Sequence, residues 1–204
     1  MKTIALVGNP NSGKTTIFNV LTGTNQHVGN WPGVTVEKKE GKVKYGENEY
    51  AVIDLPGTYG LGGYSEDEIV ARDYILKRDH DIIINVVDAT NLERNLYLTT
   101  LLLEMNAKVV IALNMFDEAK NRQVQIDIDK LSKKIGVPVV PTVASKAKGI
   151  NDLMQVVEQT IDREDYREPI SYGKFLDEKI VFIRDLIEQY KKETEYPSDW
   201  LALK

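Results

Sequence analysis

The run Gly8-Asn9-Pro10-Asn11-Ser12-Gly13-Lys14-Thr15 sets two glycines, a lysine and a hydroxyl at fixed spacing. This order, G-x-x-x-x-G-K-[ST], suits a triphosphate. The glycines let the chain turn tightly and aim backbone N–H groups at phosphate oxygens, and the helix that follows adds the positive end of its dipole. Lys14 has the reach for the β- and γ-phosphates, and Thr15 has the hydroxyl for Mg²⁺. Asn9, Ser12, Gly13 and Thr16 complete the expected phosphate-side contacts. The plain alternative is a glycine-rich turn between a strand and a helix.

Two further clusters follow in order. Asp54-Leu55-Pro56-Gly57 ends an apolar run. A carboxylate at such a strand end helps hold Mg²⁺ through water, and Gly57 can present its N–H to the γ-phosphate. Asn114-Met115-Phe116-Asp117 ends another apolar run. A carboxylate there accepts hydrogen bonds from the N1–H and 2-amino group of guanine, a donor pair that adenine lacks. Asp117 therefore points to GTP over ATP. Each cluster alone is an ordinary turn; their order after Gly8 to Thr15 gives them meaning.

These clusters need elements to carry them. Ile4 to Val7 reads as a central strand and Gly13 to Leu21 as a helix. Residues 23–35 hold three glycines, two asparagines and Pro32, which predicts an irregular loop. Val36 to Lys44 and Tyr50 to Leu55 read as a hairpin about the turn Tyr45-Gly46-Glu47-Asn48. After the glycine-rich loop Thr58 to Gly63, Ser65 caps a helix to about Lys77. Strands at 81–88, 108–114 and 137–141 then alternate with helices at 92–105, 127–135 and 150–161. The alternation predicts an α/β fold, a mostly parallel sheet with helices on both faces, whose ligand lies beyond the carboxyl ends of the strands. After Pro169 the alternation stops, and Phe175 to Lys192 reads as one amphipathic helix. That helix either begins a helical module or docks on the sheet domain.

Composition narrows the rest. The 204 residues carry a net charge of -5 and no cysteine. Disulfides and thiolate metal sites are excluded, and no basic footprint for nucleic acid is present. No apolar stretch approaches the length of a membrane span. His27 and His80 stand alone and are assigned no metal.

Taken together, the motifs resemble the small GTPase fold of translation-factor type, a phosphate-loop NTPase, over about residues 1–165, with a helical region at 166–204. More closely, Gly29-Asn30-Trp31-Pro32-Gly33-Val34-Thr35-Val36-Glu37, Ala71-Arg72-Asp73-Tyr74 and Asp88-Ala89-Thr90-Asn91-Leu92-Glu93-Arg94-Asn95-Leu96 resemble the ferrous-iron transport protein B family. The segment Tyr196 to Lys204 resembles the helical region that follows the GTPase domain there. The resemblance implies a GTP- and GDP-binding head on the cytoplasmic side of the cell membrane, cut early in that region. Its partner would be the membrane-embedded iron-transport domain of the same protein, and a homo-oligomer is compatible with it.

The resemblance also implies residue roles. Thr35 matches a switch threonine that reaches Mg²⁺ and the γ-phosphate. Asn11 matches an asparagine that helps hold K⁺ beside the phosphates, with the carbonyls of Gly29 and Trp31 as co-ligands. Thr58 stands where Ras-like proteins carry a water-positioning glutamine, so the attacking water is expected on backbone groups near Thr35 and Gly57. Glu66 and Glu68 are candidates to polarise it, or simply helix caps. Met115 stands where lysine is common. Val143, in Thr142-Val143-Ala144-Ser145, stands where serine is common, and Ala144 keeps an N–H for the guanine oxygen. Fast GDP release would follow. The remaining alternative is a soluble regulatory or ribosome-assembly GTPase that switches partner docking.

Overall fold

The computed structural model describes residues 1–163, 170–190 and 196–203. The strands are β1 (Lys2–Gly8), β2 (Gln26–Asn30), β3 (Glu37–Tyr45), β4 (Asn48–Asp54), β5 (Ile82–Asp88), β6 (Val109–Asn114) and β7 (Val139–Pro141). They form one sheet in the order β2-β3-β4-β1-β5-β6-β7. From β4 to β7 every pairing is parallel, while β3 runs antiparallel to both neighbours.

Alternation along β1 shows how the sheet is covered. Ala5 and Val7 face one core with Ile83, Val87, Ile111 and Leu113, under α2 (Glu66–Lys77) and α3 (Leu92–Glu104). Ile4 and Leu6 face the other, with Ile17 and Phe18 of α1 (Lys14–Thr22) and Leu153 and Val157 of α6 (Ile150–Ile161). Side chains of a strand point alternately to its two faces, so a sheet buried on both sides reads as a continuous apolar run. β5 and β6 are buried at every residue. The chain crosses from one side of β1 to the other between β4 and β5. That reversal opens a crevice at the carboxyl end of β1, where the phosphate loop lies.

The expected α/β architecture is present, with two differences. Residues 23–35 are not irregular throughout, because Gln26–Asn30 pair antiparallel with β3 as the sheet's edge. Their glycine and asparagine content hides a strand whose partner supplies the order. A short helix, α4 (Phe116–Asn121), follows the Asn114 strand end, and Met115 before it takes φ 57°. A last helix, α8 (Ser198–Leu203), lies within the expected helical region. The Ser65 cap falls where expected, accepting from the Glu68 N–H at 3.2 Å; Asp127 also caps α5 (Ile128–Ile135), accepting from the Lys130 N–H at 2.9 Å.

The helix expected at 175–192 is α7 (Lys174–Tyr190); its expected end at 191–192 falls outside the described residues, as does the boundary at 165–166. None of its residues is buried, and Phe175, Phe182 and Tyr190 are largely exposed. α7 packs against α8, while Ile170 and Trp200 reach the α2–α3 core. Among the described residues no helix is long and apolar enough to cross a membrane.

Candidate nucleotide site

Between β1 and α1 the chain takes two left-handed residues, Asn11 at φ 65° and Gly13 at φ 86°. The turn closes with Ser12 N–H donating to the Asn9 carbonyl at 3.1 Å. Two close approaches fix its glycines. A Cβ on Gly8 would stand 2.7 Å from the Val86 carbonyl oxygen, and one on Gly13 would stand 2.2 Å from Asn114 Nδ2. The glycine spacing of the motif is thus a packing requirement, beyond its service to phosphate.

Lys14 is buried and pairs with the Asp54 carboxylate. Burial pushes the Asp54 carboxyl above its ordinary value, and the neighbouring Lys14 ammonium pulls against that rise. Lys14, Thr15, Asp54 and Gly57 share a cavity of about 210 Å³ with Val36, Glu37, Lys39 and Asp67. The buried Asn9 amide and Ser12 hydroxyl, in the loop just before Lys14, have no hydrogen-bond partner among the described residues. Buried polar atoms are costly to leave unpaired, so this loop is suited to a polar ligand.

The base side is joined to the phosphate side through one residue. Asn114, 3% exposed, donates from Nδ2 to the Ser12 carbonyl at 2.9 Å. Its Oδ1 accepts from the Ala144 N–H at 3.0 Å and the Thr142 hydroxyl at 3.3 Å. Three loops therefore meet on one amide. The Ala144 N–H expected to serve guanine is engaged by Asn114 here. Asp117 lies on α4, with Oδ2 on Lys146 Nζ at 2.6 Å and Oδ1 accepting from the Glu118 N–H at 3.0 Å. The Lys146 hydrogen bond is the main cause that holds the Asp117 carboxyl below its ordinary value. Val143 pairs with Lys148 in a short bridge, and Ser145 is exposed.

A model of the family described as ferrous iron transport protein B matches residues 2–157. The chain belongs to that family. It is 49% identical over 191 residues to the Fe(2+) transporter FeoB of Salmonella typhimurium, covering 92% of this chain and 25% of the relative. It thus spans about a quarter of the length of the curated relatives it matches. The cytosolic domain of T. maritima FeoB superposes in its GMPPNP form with TM-score 0.92 at 43% identity, over 100% of this chain and 80% of that one. Its GDP form I gives 0.91 at 42%, over 100% and 79%.

The switch residues expected of a FeoB head are not all gathered at the cavity. Thr35 is exposed, with its hydroxyl 3.4 Å from Glu66 Oε2. Asn11 is exposed on the phosphate loop, and Thr16 is exposed on α1. Gly29 lies in β2 opposite Lys38, and the Trp31 carbonyl accepts from the Val34 N–H at 3.3 Å. The Trp31 ring meets Tyr74 edge-on at 5.4 Å, and Tyr74 stacks on His80 at 5.9 Å. Thr58 is buried, its hydroxyl donating to the Gly60 carbonyl at 2.6 Å, so it turns into its own loop. Glu68 reaches back from the first turn of α2 and accepts from the Gly63 and Tyr64 N–H groups, both at 3.1 Å. That leaves Glu66 on Thr35.

Sequence reasoning passed over two residues. Asp67 lines the cavity, whereas the sequence points to its neighbours Glu66 and Glu68; its place among the acidic residues of the first turn of α2 is the available signal. Lys146 meets Asp117 from a separate loop, and no spacing rule announces that contact.

Proposed function

We propose that this chain binds guanine nucleotide and hydrolyses GTP, as the switch-bearing head of a membrane protein that moves ferrous iron. The observation that carries the reading is the Asn114 junction. It locks the phosphate loop, the Asp117 segment and the Thr142–Ala144 loop into one frame, so phosphate and base are read together. A T. maritima relative of this fold is described in GDP and GMPPNP forms, which supports the same ligand class here.

Within that frame the residues divide the work. Backbone N–H groups of the loop from Asn9 to Gly13 cradle phosphate at the start of α1. Lys14, paired with Asp54, is placed to move its charge onto the β- and γ-phosphates. Thr15 and Asp54 share the cavity and supply the hard oxygen donors that Mg²⁺ prefers. The ion, when bound, neutralises phosphate charge. With Thr58 turned inward, the attacking water falls to backbone groups near Gly57 and, once the first switch closes, Thr35. Positioning and charge stabilisation do most of the work in phosphoryl transfer, so a missing glutamine does not preclude hydrolysis.

K⁺ stimulation belongs to the same proposal and sets a condition. Asn11 stands at the phosphate loop, but the Gly29 and Trp31 carbonyls lie in or next to strand β2. A K⁺ site requires residues 29–36 to leave that pairing. The test is GTP turnover in K⁺ against Na⁺ for the native chain and Asn11→Ala, with ATP and Asp117→Ala as nucleotide controls. Turnover is expected to be faster in K⁺, to lose that gain in Asn11→Ala, and to fall with Asp117→Ala. Equal rates in the two salts end the K⁺ reading; tight ATP binding indifferent to Asp117→Ala ends the guanine reading.

A further inference from the structure

Lys146 projects from the loop that closes the base side of the site, and its ammonium holds the carboxylate assigned to guanine. The loop is well defined around it. Residues Ala144–Lys146 form a single helical turn, Lys146 N–H donates to the Val143 carbonyl at 3.0 Å, and Ala147 turns away at φ 52°. The side chain is 59% exposed, so it can swing into solvent without disturbing the fold. Glu118, itself 3.9 Å from Arg122, is the other charge that faces Lys146.

Guanine presents two parallel donors, N1–H and the 2-amino group, and needs one carboxylate oxygen for each. Asp117 Oδ1 accepts the adjoining Glu118 N–H at 3.0 Å, a bond from a neutral donor. Oδ2 carries the charge-assisted bond to Lys146 at 2.6 Å. Charge-assisted bonds are among the stronger ones, and this one engages an oxygen that a guanine donor needs. We propose that Lys146 competes with the base for Asp117, and thereby weakens guanine binding and speeds GDP release. The proposal rests on the guanine reading of Asp117. It adds Lys146, at the end of the Ala144–Lys146 turn, as a determinant of nucleotide affinity.

The experiment is equilibrium and stopped-flow titration of the native chain with fluorescent N-methylanthraniloyl-GDP, beside Lys146→Met and Lys146→Arg. Lys146→Met is expected to bind about two- to five-fold tighter, the scale of an exposed ion pair, with slower dissociation. Lys146→Arg is expected to keep the native affinity because it keeps the competitor. The gain should shrink for IDP, which lacks the 2-amino donor, and vanish in an Asp117→Ala background. Unchanged or weaker GDP binding by Lys146→Met overturns the proposal while Asp117→Ala still weakens GDP. If Asp117→Ala binds GDP as the native chain does, the guanine reading falls, and this proposal with it.

Discussion

Asn114→Ala tests whether the junction is a structural part or only a base contact. The substitution removes the hydrogen bonds to the Ser12 carbonyl, the Ala144 N–H and the Thr142 hydroxyl in a position 3% exposed. A net hydrogen bond contributes about 1 kcal/mol, and a buried donor left without a partner costs roughly 1–3 kcal/mol. Ala144 is buried, so its N–H is such a donor. The loss then comes to about 3 kcal/mol or somewhat more, which in a chain of this size lowers the melting temperature by roughly 6–12 °C. The assay is thermal unfolding without nucleotide, followed by circular dichroism and repeated with saturating GDP. A residue that only touches the base leaves the nucleotide-free melting temperature unchanged. A shift below about 2 °C would refute the reasoning, because three buried bonds cannot vanish so cheaply.

The other expectations are more local. Gly13→Ala is expected to destabilise by at least about 2 kcal/mol in urea unfolding, from a left-handed φ and a Cβ 2.2 Å from Asn114 Nδ2. Gly57→Ala meets Pro10 only at 3.4 Å, so its unfolding midpoint should stay native while GTP turnover falls. Thr58→Ala should keep GTP turnover within about threefold, because the hydroxyl is spent on Gly60; a drop beyond tenfold would give Thr58 a direct part in positioning water. Burial lowers the His80 pKa to about 4 against the pull of Asp81. Its folded value lies below the free one, so its stabilisation is whole above pH ~6.5 and drains as pH falls toward 4, by at most about 3 kcal/mol. His80→Phe should flatten that slope in unfolding free energies measured from pH 7 to pH 4.5.

How much of this was legible depended on whether the signal was local. Gly8 to Thr15, the strand ends at Asp54 and Asn114, and the Ser65 cap each carry their meaning within a few residues, and all lie where the motif order required. The parallel sheet follows from alternation of strand and helix. By contrast, β2 is ordered by pairing with β3, and its own residues, Gln26-His27-Val28-Gly29-Asn30, carry little strand preference. Propensity is a poor guide where the partner decides. The Asn114 junction, the Lys146 contact and the edge-on meeting of Trp31 with Tyr74 bring together residues far apart in sequence. No period or motif encodes such meetings.

The edge strand matters for the proposed switch. Residues 26–30 are mostly exposed, pair on one side only, and contribute little buried apolar area. The firmest local anchor is Trp31, whose ring lies between Tyr74 and Lys38, the ammonium 4.9 Å from its centroid. A ligand moves such an equilibrium only by its difference in affinity for the two arrangements. On the proposed reading that difference must come from Thr35, Gly29 and Trp31 gaining contacts at the phosphate end. GDP offers no γ-phosphate for Thr35, so it has less with which to draw the segment off β3. The fold thus opposes closure with a weak strand and one aromatic anchor. On the proposed reading the γ-phosphate is the part of the ligand able to tip that balance, and its loss on hydrolysis would return the segment to β3.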